Sequence, residues 1–252
     1  MMKTVSTQTL EQWLNSTLGT AAFNDYCPNG LQVQGKPTLS HIISGVTASQ
    51  ALIDVAAQRQ ADAILVHHGW FWKGEDPRVL GTRKRRLAAL LTHDINLLAF
   101  HLPLDAHPVL GNNAQLARVL GLVAEPATVS NGLLWFGSMP GVTTLAQIAS
   151  RVEQRLHRAP LVIGAEALPV QRIAWCTGAA QNMLDQAISG GAQVFITGEV
   201  SEPTVHLARE AGVGFISAGH HATERYGVQA LGQAIAQEFG IRVDFVDLDN
   251  PV

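Results

Sequence analysis

Cysteine is almost missing from this 252-residue chain, and the two present, Cys27 and Cys176, stand far apart in no metal-type spacing. That excludes a disulfide framework and a CxxC-type structural zinc, and it points to a reducing compartment. Charge is sparse as well: 15% of residues are charged and the net charge is -3, so the basic footprint of a nucleic-acid binder is lacking. No apolar run approaches the roughly 18 residues of a membrane span. The opening Met1-Met2-Lys3-Thr4-Val5-Ser6 leads into a polar, helix-patterned segment without the apolar core of a signal peptide. The G-x-x-x-x-G-K-[ST] phosphate loop, H-E-x-x-H, the G-x-S-x-G elbow and the dinucleotide fingerprint do not occur. A cytoplasmic globular protein with neither membrane nor nucleic-acid partner is expected.

What the chain does have is apolar residues, 47% of the total, and histidine, ten residues. The first is enough to bury one large core or two of average size. The second is clustered. The strand-like run Ile64-Leu65-Val66 stops at His67-His68-Gly69. His101-Leu102-Pro103-Leu104-Asp105 follows the run Asn96 to Phe100, and His220-His221-Ala222-Thr223-Glu224 follows Val213 to Ser217. Consecutive strand residues face opposite ways, so His67 and His68 can share a site only where the strand frays into the glycine loop. Pro103 predicts a loop between His101 and Asp105, whereas His220 and Glu224 share one face if a helix starts there.

The rest of the pattern is α/β. Leu10, Trp13, Leu14 and Leu18 mark a helix, Ile42 to Val46 a strand, Gln50 to Arg59 a helix and Ala61 to Val66 the strand entering the histidine pair. Gly111 to Leu120 predicts a helix capped by Asn112 or Asn113, and Arg242 to Asp247 a last strand. Residues 41–69 laid on 172–200 match at Ile42/Ile173, Ala48/Ala179, Gln50/Gln181, Asp54/Asp185, Ala56/Ala187 and Ala61/Ala192. The strand-helix-strand order is kept, and His101…Asp105 answers His220…Glu224. This reads as an internal duplication, with domains at 1–124 and 125–252 and one metal site shared between them. Gly198 and Glu199 replace His67 and His68 in the second half.

Four histidines (His67, His68, His101, His220) with Asp105 and Glu224 are six candidate ligands. A tetrahedral zinc uses at most four, so six nitrogen and oxygen donors suit two divalent first-row ions: iron, manganese, zinc or nickel. Two such ions exceed the charge of two carboxylates, which favours a bound water of lowered pKa and an anionic or electron-rich substrate. His221 points elsewhere and reads as packing. Glu199 is a candidate for orienting a ligand or for acid/base work, or else a capping or inter-subunit carboxylate. The loop Trp70-Phe71-Trp72 either covers the core edge or walls a ligand. The basic run Arg83-Lys84-Arg85-Arg86 opposes a helix dipole, and is either an anion site or a solvated or oligomer-contact face.

At these residues the sequence resembles the NIF-three-like family, in particular its bacterial YbgI type, the GTP cyclohydrolase 1 type 2 homologues. The likeness is carried by Tyr26 to Gly35, Gly45 to Ser49, Val66 to Gly69, Phe100 to His107, Gly111 to Asn113, Thr197 to Glu199 and Gly219 to Arg225. It implies two similar, interlocked α/β domains with a two-metal site between them, ligated by the same six residues. It also implies a toroidal homohexamer and hydrolytic opening of a guanine imidazole ring, or attack on another C–N bond of a nucleotide-like heterocycle. A metal-binding or protein-interaction role without catalysis is the alternative.

Overall fold

The computed structural model describes residues 3–125 and 132–252; Met1 and Met2 of the N-terminal reading lie outside them. The chain forms two compact units, Met1–Leu104 with Gly227–Asp249 and Asp105–Tyr226 with Asn250–Val252. The sequence division at 124/125 follows chain order, whereas these units follow the chain's return. The last strand, β13 (Arg242–Phe245), pairs in parallel with β4 (His41–Thr47).

The first unit is built on a five-stranded sheet. Its strands are β2 (Gly30–Val33), β4, β5 (Ala63–His68), β6 (Asn96–Ala99) and β13, in the order β13-β4-β5-β6-β2. β4, β5 and β6 run parallel, so each needs a crossover; helices α2 (Gln50–Gln58) and α3 (Gly81–Thr92) supply them. Ile43, Ile64, Val66, Leu97 and Ala99 meet Leu52, Ile53 and Leu90 of those helices in a continuous core. The helix expected near the N-terminus is α1 (Thr7–Leu18), capped by the Ser6 side chain and buried through Leu10, Leu14 and Leu18. A two-stranded pairing of β1 (Val5–Ser6) with β3 (Thr38–Leu39) ties its start down.

The second unit has a six-stranded sheet. Its strands are β7 (Val123–Ala124), β8 (Trp135–Ser138), β9 (Leu161–Ile163), β10 (Ile173–Trp175), β11 (Val194–Thr197) and β12 (Gly214–Ser217), in the order β7-β8-β10-β11-β12-β9. Again three parallel strands, β10, β11 and β12, form the centre. Side chains alternate by strand geometry. Ile173, Trp175, Val194 and Ile196 pack with α5 (Asn112–Leu120) and α6 (Leu145–Leu156). Ala174, Phe195 and Phe215 pack with α7 (Leu184–Ser189) and α8 (Glu202–Ala211). The 131-residue offset lays Ile42 of β4 on Ile173 of β10 and Ile64 of β5 on Phe195 of β11.

Two local expectations change. Leu102–Ala106 is a short helix, α4, and not a loop, because Pro103 sits in its first turn, where the missing N–H would have had no helical partner. Gly111, and neither asparagine, caps α5. Asn112 and Asn113 are fully buried and spend their amides elsewhere.

Candidate metal centre

In the first unit His67 and His68 both belong to β5, yet their ring centroids lie 4.4 Å apart. Beyond the Val66–Ala99 rung the strand is paired with β4 alone, at Thr47–His68, so its end is open on the β6 side. There His101 arrives from the end of β6, 5.2 Å from the His67 ring and 5.9 Å from that of His68. One ligand atom from each of the three lies within 4.8 Å of the others. Gly69 permits the crowding, since a Cβ there would sit 2.3 Å from Gln32 Oε1 and 2.5 Å from Ala99 Cβ.

Each of these imidazoles is held by its Nδ1. His67 Nδ1 lies 2.9 Å from the Phe100 carbonyl, which makes it the protonated nitrogen and leaves the lone pair on Nε2. Thr47 Oγ1 lies 3.1 Å from His68 Nδ1, and Asp25 Oδ1 lies 2.7 Å from His101 Nδ1. Asp25, which directly precedes the Tyr26–Gly35 stretch of the resemblance, is a candidate site residue that the sequence analysis did not name. Its carboxylate also accepts the Leu102 N–H, while Asn29 Oδ1 accepts the His101 N–H. Burial works to raise the Asp25 pKa, but the hydrogen bond from His101, that from Asn29, the His101 charge and the Tyr26 N–H bring it down to about 2. Cys27 is within ligand reach of Asp25 and His101, yet burial and the Asp25 charge push its thiol up to about 12 and keep it protonated.

Asparagine at position 25 keeps the shape and loses the charge. Asp25→Asn is expected to weaken metal binding by about 10- to 100-fold, the usual cost of losing a carboxylate behind a ligating histidine. Competition against a chromophoric chelator reads this directly; unchanged affinity would remove Asp25 from the site.

The aromatic loop divides its work. Trp70 is core, its Nε1 donating to the Ala48 carbonyl, whereas Trp72 stands edge-on to His101 at 4.9 Å between centroids. Tyr26, exposed at 62%, flanks the same ring at 6.3 Å.

In the second unit the donors converge on the start of helix α9 (His220–Phe239), whose later part belongs to the first unit. His220 Nε2 and Glu224 Oε2 are 3.0 Å apart on one helical face. Glu199, at the end of β11, places Oε1 2.6 Å from His220 Nδ1; this contact is of the orienting kind. Asp105 Oδ1 accepts from Asn112 at 2.8 Å and from Thr177 at 3.3 Å. Asn113 braces the same corner, accepting the Thr177 N–H and donating to the Leu133 carbonyl. Gly178, with φ +68, lies so near these candidate ligands that a Cβ would meet Glu224 Oε1 at 2.0 Å and His220 Nε2 at 3.2 Å. A Cβ on Gly198 would meet His220 Cα at 2.6 Å, which explains why glycine stands where the first half has His67. His221 donates its backbone N–H to the Val252 carbonyl.

Burial by itself lowers the His220 pKa, and the hydrogen bonds and charges of Glu224 and Glu199 more than reverse this, carrying it up to about 9. Imidazole and carboxylate donors suit a divalent first-row ion, and a glycine cradle against two of them fits a site shaped for one. A metal must displace the His220 proton. Uptake by the metal-free chain is therefore expected to release close to one proton from His220 at pH values well below 9, about half a proton near pH 9 and none well above it. Titration calorimetry in buffers of different ionisation enthalpy measures it. The same raised pKa stabilises the metal-free fold below the unfolded-state pKa, and that contribution is lost as pH rises through 9.

Among the described residues no helix is long and apolar enough to cross a membrane. The model of the family Duf34/NIF3 (NGG1p interacting factor 3) matches residues 5–251. A curated relative from Pseudomonas aeruginosa, named GTP cyclohydrolase 1 type 2 homolog, is 53% identical over 250 residues, 98% of this chain and 99% of its own. One of the same name from Escherichia coli K12 is 51% identical, covering 96% and 98%. A solved structure described as protein ybgI, of unknown function, superposes with a TM-score of 0.94 at 49% identity, over 98% of this chain and all of that one. From residue 5 to residue 251, this chain belongs to the Duf34/NIF3 family.

Proposed function

We propose that the protein is a metal-dependent hydrolase acting on a C–N bond of a nucleotide or related heterocycle. In this reading His67, His68, His101, Asp105, His220 and Glu224 together hold two divalent ions. The observation that carries it is that all four imidazoles have an oxygen at Nδ1, from Phe100, Thr47, Asp25 and Glu199. Outer partners of this kind fix the tautomer and raise ligand basicity. His101 and Asp105, joined by α4, link the two donor sets along the chain.

Two ions bound there supply Lewis acidity and a water of lowered pKa. The chain's own residues do the rest. Asp25 and Glu199 hold the imidazoles and their basicity, and Asn112 and Thr177 hold the Asp105 carboxylate. Trp72 and Tyr26 flank the His101 ring edge-on, aromatic neighbours against which a heteroaromatic ring can pack. The names of the relatives support a purine nucleotide as the first substrate to try. We also place the protein in the cytoplasm, in keeping with two buried, free cysteines, and as a toroidal homohexamer, in keeping with the resemblance.

The test is metal content by mass spectrometry on protein purified without chelator or nickel resin, followed by turnover of GTP and other nucleotides with the metal found. About two ions per chain and metal-dependent ring opening or C–N cleavage are expected. Two ions with no conversion of any nucleotide, and an Asp105→Asn change that alters affinity alone, would establish the non-catalytic metal-binding role instead.

A further inference from the structure

The basic run lies on the first turns of α3, and the structure sorts its members by what they bond. A cavity of about 360 Å³ opens beside the helix start, lined by Trp70, Glu75, Asp76, Arg78, Arg83 and Arg86 among others. Arg78 is bonded to the Asp76 carboxylate through two nitrogens. Arg83 bonds the Glu75 carboxylate and the Asp76 carbonyl and lies 5.9 Å over the Phe71 ring. Those two arginines are spent on the two carboxylates. Arg86 is not: among the described residues its side chain makes no hydrogen bond or ion pair. The lining therefore keeps one positive charge over its acids.

Arg86 lines the cavity, is partly exposed, and has no carboxylate of the described residues to neutralise it, so an anion entering the cavity gains a charge-assisted partner. The helix adds to the demand. α3 spans 12 residues, has no acidic residue in its first turn, and its cap residue Leu80 provides no side-chain acceptor. Its first N–H groups and the positive end of its dipole thus lie at the same cavity, where an anion is favoured. The volume is at the small end of organic-ligand sites and exceeds what a lone oxyanion fills.

We infer that this cavity binds the phosphoryl group of a small phosphorylated molecule, with Arg86 as its principal donor. Planar, forked guanidinium donors match phosphate oxygens. The site stands independently of the metal reading, since none of its lining residues is a proposed ligand.

Inorganic pyrophosphate, titrated calorimetrically into the full, metal-loaded chain, is the probe. Lys84 is the internal control: it is exposed, carries the same charge on the same helix turn, and does not line the cavity. Arg86→Gln is expected to weaken pyrophosphate binding at least tenfold and Arg86→Lys to recover part of it. Lys84→Gln should change it less than twofold. Metal content and circular dichroism of all three should match the parent. Equal effects of Arg86→Gln and Lys84→Gln would reduce the site to diffuse charge and overturn the proposal. So would binding indifferent to Arg86, which would place the pyrophosphate on the metal centre, or equal affinity for succinate, which would deny phosphoryl selectivity.

Discussion

Gly178→Ala is expected to cost the chain about 2–5 kcal/mol and to weaken its metal binding at least tenfold. The backbone share is about 1–2 kcal/mol, because φ is +68 and an L-residue there brings its Cβ against the neighbouring carbonyl. The remainder is steric. The new Cβ would lie 2.0 Å from Glu224 Oε1 and 2.9 Å from its Cδ, and Glu224 is only 3% exposed, so it has no room to swing aside. Relief can come only by moving the start of α9, and with it His220. Gly141 separates the two contributions: it too has positive φ, at +74, but nothing lies within 4 Å of its would-be Cβ. Gly141→Ala should therefore pay the backbone share alone and leave metal affinity intact. Chemical denaturation with and without metal reads both quantities. Equal behaviour of the two variants would mean that the close approach at Gly178 does not matter.

The second large effect concerns the ligands themselves. On the proposed dinuclear reading, His68→Ala and His220→Ala should each reduce metal content from about two ions per chain to one or fewer, with affinity for the last ion down at least 100-fold. Neither change should unfold the metal-free chain. His68 and His220 are both partly exposed, and His220 has Thr223 and Gly178 to keep its helix start in place. The pair matters because the two residues come from different units. If each variant kept full metal content, the two donor sets would not act together, and the six residues would need another account. A loss in one variant only would leave a mononuclear site on that unit and exclude the shared one.

Much of this was legible in the chain. The strand-then-histidine pattern named all six candidate ligands, since apolar β-branched runs and their abrupt stops are local features. Helix phases such as Leu10, Leu14 and Leu18 are local too, and those residues are buried on α1. The family could be read from short strings spread over nearly the whole length. Where local rules misled, position within the element was the reason. Pro103 breaks a helix interior but suits a first turn, and Asn112 resembles a cap until a buried carboxylate claims its amide.

By itself, then, the sequence determined the α/β elements and named the candidate donor set, which follow from short-range periodicity and residue chemistry, and its motif strings carried the family resemblance. Tertiary structure alone decided how the donors are held. Asp25 reaches His101 across 76 residues, Asn113 reaches Thr177 across 64, and Glu199 reaches His220 across 21. It also separated Arg86 from its paired neighbours and Trp72 from Trp70. Hydrogen-bond partnership and burial are set by which strand ends meet, and no spacing along a chain encodes that distance.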